Sequence, residues 1–113
     1  MISHASLSRA VAAKRLSALG SERRIEVFQL LVRAGGAGLS VSEIQSHIAI
    51  PMTTLTHHVA ALADSGLVKQ TRVGREVICV ADFEAIRSVS AFLLDDCCAG
   101  VARAGCAPLE AAA

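Results

Sequence analysis

The middle of the sequence predicts two short helices joined by a tight turn, followed directly by a β-hairpin. This pattern limits the possible folds more than any other part of the chain. Ser40 and Glu43 form a capping box, which predicts that a helix starts here. Pro51 then suits the first turn of a second helix. The apolar face of that second helix repeats at spacings of four and three residues: Leu55, Val59 and Leu62.

The hairpin begins where this second helix ends. Gly66 fits the left-handed position just after the helix, with Leu67 as its apolar partner. Residues 67–71 and 76–81 are typical of strands, and Gly74 between them can take a positive φ in the turn.

Helical patterns also cover residues 5–18, the stretch from Ser21 to about Ala34, and residues 83–98, with Asp82 as a cap. The expected apolar stripes of these helices are, in chain order, Leu7, Val11 and Leu16; Ile25, Phe28, Leu31 and Val32; and Phe83, Ile86, Val89 or Ser90, and Leu93. The element order α-α-α-α-β-β-α predicts a mainly α fold with a β-hairpin wing, the winged helix-turn-helix arrangement.

The composition fits one small domain that associates with a partner. The chain has 113 residues, which predicts an ordered domain over 1–99 and a flexible Ala/Gly-rich tail over 100–113. Hydrophobic residues make up 53% of the chain and charged residues 19%, which favours an oligomer interface. No apolar run reaches membrane-spanning length and no secretory signal opens the chain, so we expect a cytoplasmic protein without membrane contact.

The second helix of a helix-turn-helix enters the DNA major groove with its N-terminal residues leading. Hydroxyl and imidazole groups suit both phosphate oxygens and base edges. A zinc site at the paired histidines is less attractive, because adjacent helical residues diverge by about 100°. The predicted contacts to double-stranded operator DNA are the polar residues left facing outward: Thr53, Thr54, Thr56, His57 and His58.

The hairpin adds the cations Lys69, Arg72 and Arg75, which we predict to contact the DNA backbone or minor groove. The alternative is an ordinary solvated hairpin, and the net charge of +1 does not separate the two. The position of the hairpin directly after the helix-turn-helix favours DNA.

Three of the four cysteines lie near the C-terminus: Cys97, Cys98 and Cys106. Thiols in a reducing compartment rarely form structural disulfides, so such a cluster predicts a metal or redox site. Cys79 alternates with Val77 and Ala81 on a strand and is expected in the core.

Residues 18–28 (ALGSERRIEVF) resemble the second-helix signature of the ArsR/SmtB family of metal-responsive repressors. Residues 54–68 (TLTHHVAALADSGLV) resemble the family's recognition helix and its exit, and Gly74-Arg75 resembles the wing. The resemblance covers about residues 16–98. It implies a homodimer held by the first and last helices, which represses without ligand and leaves the operator when ligand binds.

The resemblance leaves the ligand open, and the chain's own thiols predict it. Cys97 and Cys98 are similar to a vicinal pair that ends the last helix of some arsenic-responsive members, and Cys106 matches a third cysteine less closely. Soft thiolates select soft ions, so we expect trivalent arsenic or antimony as inducer, bound by Cys97, Cys98 and Cys106. Residues 46–56, where the better-known family site lies, contain no cysteine.

Other signals and functions stay open. The same thiols suit a redox or persulfide switch, or they are buried apolar residues at a dimer interface. Zinc at Asp82, Glu84, Asp95 and Cys98 is unattractive because no histidine joins them.

A C-x5-R spacing from Cys97 to Arg103 matches a phosphatase or arsenate-reductase loop, but a helix precedes it where such a loop needs a strand. A winged helix used only for protein contacts is disfavoured by the basic hairpin. We therefore predict a regulator and not an enzyme.

Overall fold

A computed structural model describes residues 7–95 and 99–101 of the chain. The elements are α1 (Arg9–Ala18), α2 (Glu22–Ala34), a 3-10 turn (Gly35–Ala37), β1 (Leu39–Ser40), α3 (Val41–His47), α4 (Met52–Asp64), β2 (Val68–Val73), β3 (Glu76–Ala81) and α5 (Phe83–Leu94). The predicted fold class is confirmed: the chain is mainly helical, and a hairpin wing follows the helix pair α3–α4.

The capping box at the start of α3 forms as predicted. The Glu43 amide donates to Ser40 Oγ at 3.1 Å, and the Ser40 amide donates to Glu43 Oε1 at 2.8 Å. Pro51 lies at the N-cap of α4, one residue earlier than the first turn. The predicted inner face of α4 is buried almost completely: Leu55, Val59 and Leu62.

A third strand joins the predicted hairpin. β1 pairs antiparallel with β3, with Leu39 opposite Cys79, so the sheet order is β1-β3-β2. Gly38 precedes β1 with a φ of 68° and a ψ of −171°, a backbone conformation that is essentially confined to glycine. A Cβ at this position would lie 2.7 Å from Val80 Cγ2 and would collide with the Cys79 carbonyl.

The predicted apolar stripe of α1 is wrong. The helix begins after Ser8, which caps it, and it packs through the small residues Ala12 and Ala18. The larger Val11 and Leu16 are 38% and 44% exposed in the single chain.

The stripes of α2 and α5 are correct only in part. On α2, Phe28 and Leu31 are buried as predicted, but Ile25 and Val32 lie outside while Val27 and Leu30 pack inward. α2 packs against both α4 and the sheet, so its buried face is wider than one stripe. On α5, Val89 is buried and Phe83 and Ile86 pack partly buried against the core, as predicted. Ala85 and Ser88 are buried as well, whereas Leu93 is 60% exposed.

One apolar core holds these elements together. It is formed mainly by α2, α3, α4 and the sheet, with Ala18 of α1 and Ala85 of α5. The helices in the described part of the chain are all too short or too polar to cross a bilayer.

Candidate nucleic-acid interface

Helix α4 is fixed at both ends. At its start, Gln45 Nε2 donates to the Ile50 carbonyl at 3.2 Å, which ties α3 to the turn between the helices. At its end, the Leu67 amide donates to the Leu62 carbonyl at 3.0 Å, and Gly66 has a φ of 87°. These bonds satisfy the last carbonyls of the helix and stop it directly before the wing.

The N-terminal half of α4 presents its polar residues to solvent. Thr53, Thr54, Thr56 and His57 are all exposed, as the sequence predicts for a reading helix. The Thr56 hydroxyl donates to the Met52 carbonyl at 2.8 Å, so its proton is used inside the helix. Its methyl group and oxygen lone pair are left for a ligand.

His58 differs from the other predicted contacts. It is only partly exposed, and its Nδ1 accepts a hydrogen bond from Arg24 Nε on α2 at 3.2 Å. Desolvation, and then the charge of Arg24, lower the pKa of His58. A neutral ring that accepts at Nδ1 carries its proton on Nε2, so His58 joins α2 to α4 and keeps one N–H donor.

Arg24 is a residue at this interface that sequence reasoning missed. It lies in the first turn of α2, far from α4 in sequence. The only available signal was its place in the Arg23-Arg24 pair within the segment that resembles the family.

The cations of the wing lie at two places along the hairpin, near its tip and nearer its base. Arg75 lies in the two-residue turn at the tip beside Gly74, which has a φ of 63°, and Arg72 lies near the tip on β2, opposite Val77. Lys69 lies opposite Val80 nearer the base of the hairpin, with its Nζ 3.8 Å from Asp82. The tip arginines make no ion pair with any residue among 7–95 and 99–101, so both charges are available to an anionic partner.

A second missed residue, Arg15 on α1, holds three helices together. Its Nε donates to the Ser65 carbonyl at the end of α4 at 3.2 Å. Its Nη1 donates to the Ala85 carbonyl of α5, also at 3.2 Å. One guanidinium therefore ties α4 to α1 and α5.

The predicted ligand residues Cys97, Cys98 and Cys106 lie outside the described residues, as does Arg103 of the C-x5-R pattern. Cys79 has no exposed surface, in agreement with its expected place in the core. Burial raises the pKa of its thiol, an effect that a hydrogen bond with Gln70 partly offsets. A buried, protonated thiol is a poor nucleophile and a poor metal ligand.

Two of the three acidic residues considered for zinc have other partners. Asp82 caps α5 by accepting from the Ala85 amide at 3.1 Å, and Glu84 lies 3.7 Å from Arg87. Within 7–95 and 99–101, no three histidine, cysteine or acidic side chains come together in a way that could hold a metal.

The helix pair, the exposed face of α4 and the basic wing define a winged helix-turn-helix DNA-binding protein. Comparison with known sequences agrees: residues 19–71 match the family described as a helix-turn-helix domain. No curated protein matches the chain significantly.

Solved structures extend the match beyond the helix pair. An ArsR-like transcriptional regulator from Rhodococcus sp. RHA1 is 28% identical, with a TM-score of 0.66 over 76% of this chain and 77% of that one. A possible transcriptional regulator for arsenical resistance is 22% identical, with a TM-score of 0.63 over 73% and 81%. A homodimeric winged helix-turn-helix domain from Mycobacterium bovis, described as possibly ArsR-family, is 24% identical, with a TM-score of 0.61 over 80% and 85%.

Together these findings identify the chain as a DNA-binding transcriptional regulator with the ArsR-like winged helix-turn-helix fold. The matched proteins are transcriptional regulators, which supports the prediction that this chain is not an enzyme.

Proposed function

We propose that the chain is a homodimeric repressor that binds operator DNA through α4 and the wing and leaves it when trivalent arsenic binds to Cys97, Cys98 and Cys106. The observation that carries the DNA-binding part is the exposed N-terminal half of α4, together with Arg72 and Arg75 near the wing tip, which form no ion pair within the described residues. Helix residues reach base edges in the major groove, while arginines on an extended ribbon contact phosphates or the minor groove.

A homodimer through α1 and α5 is supported by the apolar surface of these two helices. Val11 and Leu16 on α1 are 38% and 44% exposed, and Leu93 and Leu94 on α5 are 60% and 58% exposed. Exposed aliphatic residues on two neighbouring helices are typical of an association surface. The similar domain from Mycobacterium bovis is homodimeric, and two-fold symmetry suits a palindromic operator.

The arsenic part of the proposal rests on the sequence of the C-terminal region. Cys97 and Cys98 follow the end of α5 at Leu94 within a few residues, and Cys106 follows across two glycines. Three thiolates suit the pyramidal preference of trivalent arsenic. One protein of this fold, at 22% identity, is described as a possible regulator for arsenical resistance.

Arg15 offers a way for a movement of α5 to reach α4, the helix proposed to read the DNA. Because its guanidinium contacts the Ala85 carbonyl of α5 and the Ser65 carbonyl at the end of α4, a shift of α5 would alter the support of α4. Operator half-sites have a fixed spacing, so a small change in the relative placement of two reading helices lowers affinity. Coupling of about 1–3 kcal/mol between inducer and DNA is typical for such switches.

The proposal is tested by measuring the release of a fluorescent operator duplex from the full-length protein. The duplex is taken from DNA upstream of the gene or enriched from a random library. Arsenite, antimonite and methylarsenite are expected to release it, and zinc is not. Binding that weakens with added salt is expected in the absence of inducer.

The outcomes separate the parts of the proposal. Failure to bind any duplex contradicts the DNA-binding function. If the protein binds DNA and releases it with peroxide or persulfide but not with arsenicals, arsenic is not the inducer. The same thiols are then assigned to redox sensing.

A further inference from the structure

We infer that α4 reads its operator mainly through the 5-methyl groups of thymine, and that the Thr56 methyl is one of the contacts. This inference rests on the proposed DNA-binding function and specifies the feature of the DNA that α4 recognises.

The surface that carries this inference is a shallow concavity of about 430 Å³ on the outer side of α4. Its walls are mainly apolar. The residues that line it are Met52, Thr53, Thr56, His57 and Ala60. Helical spacing places Thr53, Thr56, His57 and Ala60 on one side of α4, away from the buried Leu55 and Val59. Met52 lies at the border of the buried face and is 38% exposed.

α4 lacks the residue types that usually recognise bases through paired hydrogen bonds. Guanine is read best by Arg or Lys, and adenine by Asn or Gln, in each case through paired hydrogen bonds. None of these four residue types occurs between Met52 and Asp64. The base-edge feature left for an apolar surface is the thymine methyl, which threonine and alanine methyls contact.

Thr56 is the most constrained member of this surface. Because its hydroxyl donates to the Met52 carbonyl at 2.8 Å, the donor proton is not available to a base. Met52 itself is 38% exposed, and its flexible thioether can adapt to a neighbouring methyl group. His57 supplies the imidazole among the residues that line the concavity.

The experiment replaces thymine by uracil, which removes only the methyl group and keeps every hydrogen-bonding group of the base. Duplexes enriched by the full-length protein are resynthesised with deoxyuridine at single thymine positions, and affinity is measured by fluorescence anisotropy. Loss of one buried methyl predicts a decrease of about fourfold in affinity at one or two positions of each half-site.

Two Thr56 variants form a matched pair. Thr56→Ser keeps the hydroxyl but removes the methyl, so the difference in affinity between the thymine and uracil duplexes should vanish at one position. Thr56→Val keeps a methyl and removes the hydroxyl, so that difference should persist.

Equal affinity for thymine and uracil duplexes, or enriched half-sites without thymine, would overturn the inference while leaving DNA binding intact. A Thr56→Ser protein that keeps the full thymine preference would overturn the assignment to Thr56. Failure to enrich any duplex would reject the DNA-binding proposal and this inference together.

Discussion

Arg15 Nε donates to the Ser65 carbonyl at 3.2 Å, so a side chain of α1 caps the C-terminal end of α4. The same guanidinium reaches the Ala85 carbonyl of α5. Cations are favourable at helix C-termini, where unpaired carbonyls concentrate negative potential. This contact joins the two helices proposed for dimerisation to the helix proposed for DNA reading.

Arg15→Ala is expected to lower the free energy of unfolding by about 1–3 kcal/mol, since hydrogen bonds from a charged donor to two carbonyls are lost. Arg15→Lys should recover only part of this, because an ammonium lacks the planar fork that spans both carbonyls. Urea unfolding of the three proteins measures the effect. Equal stability of all three would contradict a structural role for the bond.

Gly38→Ala should destabilise the fold strongly. A Cβ at this position would meet the Cys79 carbonyl and Val80 Cγ2, and the backbone conformation is nearly confined to glycine. We expect a loss of about 2–4 kcal/mol in thermal or urea unfolding. Gly36→Ala is the matched control: its added methyl meets no atom within 4 Å, so its stability should be unchanged or slightly higher.

The lowered pKa of His58 predicts a loss of stability as the solution becomes acidic. Burial and Arg24 favour the neutral ring in the folded protein, so the unfolded chain takes up this proton at a higher pH. Stability should therefore fall as the pH drops below 6.5, the ordinary pKa of histidine, toward the lower pKa of His58 in the folded protein.

Histidine ring signals in an NMR titration would measure this pKa directly. Arg24→Met should raise the pKa of His58 and flatten the change in stability with pH, and His58→Gln should remove its contribution. An unchanged pKa in Arg24→Met would contradict the assigned cause.

Arg72→Ala and Arg75→Ala should each weaken operator binding and reduce the slope of log affinity against log salt by about one. Arg33→Ala, which changes an exposed arginine in the last turn of α2, should leave both quantities unchanged. Anisotropy titrations over a salt series measure them. Equal slopes for all four proteins would show that the wing does not contact phosphate.

The helix-turn-helix could be predicted from sequence because its signals are local. The capping box at Ser40 and Glu43 and the left-handed position at Gly66 each act within a few residues. Thr53 and His57 could be placed outward for the same reason, since helical spacing separates them from the buried Leu55.

The remaining features depend on contacts between distant segments. The bonds from Arg24 to His58 and from Arg15 to Ser65 span 34 and 50 residues, and no periodicity reveals such partners. β1 has two residues and exists because Leu39 pairs with Cys79. The stripe of α1 was misassigned because packing uses its alanines and leaves Val11 outside.

We propose that the neighbouring thiols after α5 couple the binding of an arsenical to loss of DNA. The decisive measurement is the arsenite concentration needed to release a labelled operator from a Cys97→Ser/Cys98→Ser double variant. Cys79→Ala, at a buried cysteine, is the control that removes a thiol elsewhere. The account predicts normal DNA binding by all proteins, release of the wild type and the control by arsenite, and retention of DNA by the double variant. Release of the double variant at the wild-type arsenite concentration would contradict it.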